Sequence, residues 1–230
     1  MASLEDVRLL QSRCYAAESD VPYGPVVDGL KPLAQEVADS AGAEGKQFYQ
    51  LGHLFPEAFG EPVRDEIYSM PDAMTRRLAE EFVMFFNFAS IERPLVWIID
   101  DAHWIDRASR FLVSHLATRI SDRPIAVIQA TRPCEDPNRL GNPDGDESAS
   151  WQYVNVRALD KPSLKQLIAQ STADVITNSK EVDRLLALTG GNPFYALEIM
   201  KHHEEIDQNR NPFSRADGRG EFAPNVEQVL

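Results

Sequence analysis

Leu95–Ile99 is an unbroken, partly β-branched apolar run, LVWII, of the length that predicts a parallel strand buried on both faces. The run IAVIQAT, residues 125–131, opened by Pro124, predicts a second buried strand, and Val7–Arg13 reads as a short strand. Tyr153–Ala158 alternates apolar and polar positions as a further strand would. Between these runs the period changes to that of helices. Met74, Leu78, Phe82, Phe85 and Ala89 recur at spacings of three and four within Asp72–Ser90, with Arg76, Arg77, Glu80 and Glu81 on the other faces. A helix over Val26–Ala38 follows the polar loop AAESDVPYGP. Asp106 is placed to cap a helix reaching Ile120, with Leu112 and Leu116 in its apolar stripe.

The remainder is punctuated by Pro and Gly. Residues 48–71 read as irregular chain or short helices broken by Pro56, Pro62 and Pro71. The acidic, turn-rich stretch CEDPNRLGNPDGDESAS reads as a surface loop. Asp160 and Pro162 mark the start of a helix to Ala173, and Ser179 the cap of another to Leu188. Gly190 and Gly191 allow a helix to end in a left-handed turn, and Pro193 opens a last helix to His203. Residues 206–221 look like a linker, and FAPNVEQVL begins an element that it does not finish. Strands alternating with helices predict an α/β fold built on a parallel sheet, followed by a small helical part.

Composition narrows the function classes. Acidic residues outnumber basic ones 36 to 23 over 230 residues, for a net charge of −13. That balance argues against a broad phosphate-backbone-binding surface, so direct nucleic-acid binding is not expected of this segment. Cys14 and Cys134, without CxxC spacing, suggest neither a zinc site nor a disulfide framework. The start, MASLEDVRLL, is not a signal peptide, and no apolar run reaches the length of a membrane span. The expected setting is cytoplasmic, away from membranes.

The candidate chemistry sits where the 95–99 strand ends. Asp100 and Asp101 follow it directly, with His103, Trp104 and Asp106 just beyond. Open α/β sheets bind ligands at the carboxyl ends of their strands. Taken alone, the same string also fits a core strand followed by an N-cap and a solvated turn. Arg132, after Thr131 at the end of the 125–131 run, offers a guanidinium fork that matches phosphate oxygens, or simply starts a loop and pairs with nearby acids. His103 is read as a loop or packed histidine, since no second His or Cys lies at ligand spacing. The Gly42-Ala-Glu-Gly45-Lys46 string is too short for GxxxxGK[ST], has Gln47 in place of Ser or Thr, and follows no apolar strand; it reads as a helix connection.

Together, SRCYAAESDVPYGPVVDGL, PLVWIIDDAHWID, IAVIQATRP and LTGGNPFYALEIM, in this order, resemble the nucleotide-binding core of STAND-type AAA-like ATPases. Bacterial regulators of large LuxR-family or adenylate-cyclase-like architecture are the nearest group. The resemblance implies a P-loop NTPase fold of the ASCE type, with ATP or ADP and Mg²⁺ as cofactors. Asp100 is then the Mg²⁺ ligand of a Walker B element and Asp101 the acid that polarises water. Arg132 matches a sensor arginine that reads the terminal phosphate. Asn192 and Pro193, in the Gly-Asn-Pro motif, would lie near the adenine. FAPNVEQVL resembles the first helix of a following winged-helix segment.

The pattern departs from the family at one place. A first strand, a GxxGxGK[ST] phosphate loop and its helix precede, in the family, the segment that begins here near Val7, and no such motif occurs in these residues. The family strand order, 5-1-4-3-2, makes that strand central, so the strand at Tyr153–Ala158 either pairs directly with IAVIQAT or leaves a sheet edge open. The implied organisation is an incomplete nucleotide-binding α/β domain over 1–158, a helical subdomain over 159–205, and a linker with the start of a winged-helix segment over 206–230. The implied function is a truncated or degenerate ATPase core of a signalling or transcription regulator, its partners being nucleotide in the complete protein, a second copy, or other proteins. The alternative is a nucleotide-independent interaction module that retains the fold. A hydrolase or metal enzyme using Asp100, Asp101 and His103 ranks behind both, having no nucleophile elbow and no clustered ligands.

Overall fold

A computed structural model describes residues 6–42, 47–61, 71–132, 151–171 and 179–206. The chain divides into two compact units, Met1–Gln152 and Tyr153–Leu230.

The first unit is a parallel sheet flanked by helices. Its strands are β1 (Arg8–Arg13), β2 (Leu95–Asp100) and β3 (Ile125–Gln129), in the spatial order β1-β2-β3. Arg8 pairs with Leu95 and Arg13 with Asp100, while Leu95 pairs with Ile125 and Ile99 with Gln129. The helices are α1 (Gly24–Ala41), α2 (Pro56–Phe59), α3 (Pro71–Ala89) and α4 (Arg107–Ala117). Helix α1 starts two residues earlier than the periodicity implies, because Pro25 fits the first turn of a helix. Helix α4 stops at Ala117, short of the expected Ile120. Gly42, the only described residue between Ala41 and Gln47, takes φ 51° at the end of α1, which is the role of a helix stop.

The core lies on one face of the sheet. Because side chains alternate, Leu10, Ser12, Leu95, Trp97 and Ile99 share that face, and all are buried. Leu30 and Leu33 of α1, Phe82 and Phe86 of α3, and Leu112 and Leu116 of α4 belong to the same buried cluster. The Trp97 ring centroid lies 5.5 Å from Phe86 and 6.2 Å from Phe82, spacings at which tilted aromatic pairs attract. Phe85 meets Phe55, which ties the short α2 region to α3. Glu81 of α3 accepts from the backbone N–H of Gln50 and Leu51, at 2.6 and 3.1 Å, and so caps the one-turn helix Gln50–His53. Burial raises the pKa of that carboxyl, and these two hydrogen bonds oppose the shift.

The opposite face corrects the expectation of strands buried on both sides. Leu9, Val96, Ile98, Ala126 and Ile128 share it by register, yet Leu9 is 57% exposed, Ile128 49% exposed, Ala126 exposed, and Val96 and Ile98 only half-buried. An apolar run is therefore compatible with a sheet covered on one face, and the run alone does not report how many layers pack on it. Strand β3 pairs only with β2 among the described strands, so its far edge is unpaired there.

The second unit contains α5 (Lys161–Ser171), α6 (Ser179–Thr189) and α7 (Pro193–Ile206). Leu164, Ile168, Val182, Leu185, Ala196 and Met200 form its separate core. Asp160 Oδ1 accepts from Ser163 N at 2.9 Å, capping α5 as a residue ahead of Pro162 should. Gly190 and Gly191 take φ 58° and 76°, the left-handed turn expected of them. Gly191 is also wedged in place: a Cβ there would collide with the Leu159 carbonyl, and its own carbonyl accepts from Leu159 N at 2.8 Å.

Tyr153–Ala158 is not a strand. Its backbone is irregular, and Tyr153, Val154 and Val156 are 72%, 86% and 90% exposed. Alternation supplies the side chains for a strand but not the partner edge, and an unpaired six-residue segment has no ladder to hold it. It joins neither β3 nor any other described strand. The expected loop at 134–150 and the segment from 207 onwards lie outside the described residues.

Candidate acid site at the carboxyl end of the sheet

Asp100 is the last residue of β2, and the carboxyl ends of β1 and β3 flank it. Cys14 N donates to Asp100 O at 3.0 Å, extending the β1 side, and Ala130 N donates to Ile99 O at 2.9 Å on the β3 side. Immediately after the strand the chain turns sharply. Asp101 adopts φ 51°, ψ 37°, a left-handed conformation uncommon outside glycine. Three hydrogen bonds hold the turn: Asp101 N to Asp100 Oδ1 at 3.0 Å, Ala102 N to Ala130 O at 2.8 Å, and Trp104 N to Asp101 O at 2.9 Å. Asp is among the few residue types besides glycine that visit this region. The result is two adjacent carboxylates presented at the end of the middle strand, Asp100 about half exposed and Asp101 less so.

Behind them Asp106 is buried. Its Oδ1 accepts from Ala108 N and Ser109 N, both at 2.9 Å, as the N-cap of α4. The same oxygen accepts from Tyr23 N at 3.1 Å, and Tyr23 itself is left-handed at φ 65°. Asp106 therefore ties the start of α1 to the start of α4, beneath the acid pair. Cys14 lies in the same region. Burial, then the negative charges of Asp106, Asp101 and Asp100, push its thiol up to about 12. Burial and Asp106 also raise the phenol of Tyr23.

One participant is not legible from local sequence. Arg13, the last residue of β1, places Nη2 3.1 Å from Asp101 Oδ2 and Nε 4.0 Å from Asp100 Oδ2. Its guanidinium also lies 5.9 Å from the centre of the Tyr15 ring. Only the strand register, with Arg13 opposite Asp100, could have revealed it.

The other expected site residues are distributed as follows. Arg132 is exposed three residues beyond β3 and forms no ion pair with a described residue. His103 packs its ring 5.0 Å from that of Trp104, and its Nδ1 is buried without a partner among the described residues. In the second unit, Asn192 Oδ1 accepts from Phe194 N at 2.9 Å, so Asn192 caps α7 and Pro193 is its first residue.

Hard carboxylate oxygens, partly open to solvent, fit Mg²⁺, which keeps several waters and takes one or two carboxylates together with substrate phosphates. Among the described residues no group of three or more His, Cys, Asp or Glu side chains could hold a metal ion by itself. The donor set thus fits a cation shared with a ligand better than an enclosed protein cage.

A parallel sheet flanked by helices, with paired acids at the carboxyl end of its middle strand, is compatible with a partial P-loop NTPase-like α/β domain. The chain belongs to the AAA ATPase domain family, whose model matches residues 2–128. No curated protein and no solved structure matches the chain. Membership implies nucleotide binding and, by resemblance, dependence on nucleotide and Mg²⁺. No helix among the described residues is long and apolar enough to cross a membrane.

Proposed function

We propose that the chain carries the ATP-binding core of a STAND-type signalling or transcription regulator, from which the phosphate loop is missing within residues 1–230. The observation that carries this reading is the Asp100–Asp101 pair at the end of β2, in a chain matched by an AAA ATPase model. In this reading Asp100 holds Mg²⁺ as the Walker B acid, and Asp101 orients or deprotonates the attacking water. Arg132 reads the terminal phosphate as a sensor arginine. Asn192 and Pro193 are assigned to the adenine by resemblance alone.

The missing piece is a strand carrying the phosphate loop and the helix after it, supplied from elsewhere in the polypeptide. The open edge of β3 and the apolar outer face of Leu9, Val96, Ile98, Ala126 and Ile128 support that assignment. A strand added at β3 and a helix laid on that face would cover both. The observed strand order also agrees with strands 2, 3 and 4 of the ASCE order, the run 4-3-2 that ends 5-1-4-3-2. On this assignment, residues 1–158 form the incomplete nucleotide-binding domain, 159–205 the helical subdomain, and 206–230 a linker into a winged-helix segment. The setting proposed is cytoplasmic, with no direct nucleic-acid contact by this segment.

A second reading is favoured by the same outer face. An uncovered apolar sheet face also suits a nucleotide-independent interaction module that binds a protein partner or a second copy. Thermal melts with and without excess Mg·ATP, of residues 1–230 and of a polypeptide extended to include the phosphate loop, separate the two. Binding at a hundredfold excess over Kd stabilises by about 2.7 kcal/mol, which moves a midpoint measurably. The core reading expects no shift in residues 1–230. It expects a clear shift in a polypeptide extended to include the phosphate loop, with ATP still bound but not hydrolysed by Asp101→Asn. Absence of that shift in the extended polypeptide would leave the interaction module.

A further inference from the structure

Arg13 sets its guanidinium against both acids of the pair. Its guanidinium bonds Asp101 Oδ2 at 3.1 Å and approaches Asp100 Oδ2 at 4.0 Å, so both carboxylates of the acid pair already face a positive charge. We propose that Arg13 is a positioning residue that competes with a divalent cation for Asp100 and Asp101, and that it must release them before the cation binds. This rests on reading the acid pair as a cation site.

The geometry decides which partner moves. Asp101 is fixed by its left-handed backbone and by the hydrogen bonds of its turn, and Asp100 by the ladder on both sides. Arg13 has a fixed backbone too, but its side chain is 59% exposed and is held by the acids and by the Tyr15 ring. A guanidinium on a long stem can swing farther into solvent than the short carboxylates, which stay beside the backbone that carries them. The electron pairs of Asp101 Oδ2 cannot be fully given to a guanidinium and to a metal at once, and a monocation and a dication at this spacing repel. Two adjacent carboxylates without a cation also repel each other, and Arg13 offsets that repulsion when no cation is present. The acid pair is therefore held in place while empty, and its affinity for hard divalent cations is set lower than the carboxylates alone would give.

The test is a Mn²⁺ titration of the full chain, followed by electron paramagnetic resonance at low ionic strength, in wild type, Arg13→Gln, Arg13→Lys and Arg13→Gln/Asp100→Asn. Loss of the competing charge is expected to tighten Mn²⁺ binding about tenfold in Arg13→Gln, the difference shrinking as salt screens the site. Arg13→Lys keeps the charge without the fork and should fall between the two. Adding Asp100→Asn should abolish the gain. Equal, measurable affinity in wild type and Arg13→Gln overturns the role of Arg13 and leaves the cation site standing. No Mn²⁺ binding in any variant overturns both the role of Arg13 and the reading of the acid pair beneath it.

Discussion

The indole N–H of Trp97 donates to Ser12 Oγ at 2.9 Å, a polar bond inside the buried face of the sheet. It joins β2 to β1, and Gly29 of α1 makes room for it. A Cβ at Gly29 would collide with the Ser12 hydroxyl and lie 2.8 Å from the Gln11 carbonyl. Helix α1 can press on β1 only because position 29 has no side chain. Ser12→Ala should cost about 1–3 kcal/mol, since the buried indole N–H then has no partner. Gly29→Ala should cost about as much through overpacking. The double variant should lose less than the sum, because removing the hydroxyl removes the closest of the three collisions. Urea unfolding of the four chains measures this, and strict additivity would mean that the contact is not shared.

Cys14 should be chemically silent in the native chain. With its thiol near 12, the thiolate fraction at neutral pH is on the order of one in a hundred thousand, and the side chain is buried. In a Cys134→Ser background, iodoacetamide labelling should be slow and should scale with the opening equilibrium of the fold. Asp106→Asn removes one of the anions that raise the thiol while keeping an acceptor for Ala108, Ser109 and Tyr23. It should therefore leave labelling, which is set by opening, close to wild type, whereas Asp106→Ala removes the cap altogether at a cost of roughly 1–2 kcal/mol and should speed it. Labelling of the native chain at the rate of the denatured one would contradict this.

Much of this frame was readable before the structure because its causes are local. The apolar runs at 95–99 and 125–131 and the shorter apolar stretch within 7–13 mark strands, and Asp106 before a helical stripe marks a cap; both depend on neighbours in sequence. The acid pair was visible for the same reason, being attached to the end of such a run. Arg13 was not, because its meaning depends on a register across 88 residues. Nor was Asp101 legible as left-handed, since that follows from hydrogen bonds to Asp100 and Trp104 around it. Tyr153–Ala158 misled in the other direction: its alternation satisfies a strand pattern, but a strand exists only with an edge to pair. The one-sided core is hidden for a related reason. Ile98 and Ile99 are alike in sequence, and only packing shows that one is buried and the other half open.

His115 sets an acid limit on the packing of α3 against α4. Its Nε2 lies 3.3 Å from Glu80 Oε1 on α3. Burial lowers its pKa most, Arg119 and Arg76 lower it further, and Glu80 opposes them. The native state thus binds the proton more weakly than the unfolded chain does. The stability this contributes is fully present above the ordinary imidazole value of 6.5 and is lost as the pH falls through it toward the lower native value. His53, also lowered by burial, acts with the same sign. His115→Gln should flatten the fall of the urea midpoint below that pH. Glu80→Gln should steepen it, because the group favouring the charged imidazole is gone. Identical slopes in all three chains would remove His115 from the account.

Ile128→Lys tests what covers the outer face of the sheet. Ile128 shares that face with Val96 and Ile98 and is already 49% exposed, so a lysine can extend into solvent. Away from a buried site such a change stays within about 0.5 kcal/mol, and the melting midpoint of residues 1–230 should not move. The consequence appears only where another layer packs. In a polypeptide that includes the proposed phosphate-loop strand and helix, the charge would sit under that helix. Nucleotide binding should then weaken at least about tenfold, because folding of the binding layer and binding of ATP are linked. If the face instead receives a protein partner, Ile128→Lys should abolish that association whether or not nucleotide is present. If it alters neither, the outer face is a solvated surface in the complete protein, and the added layer must be sought at the β3 edge alone.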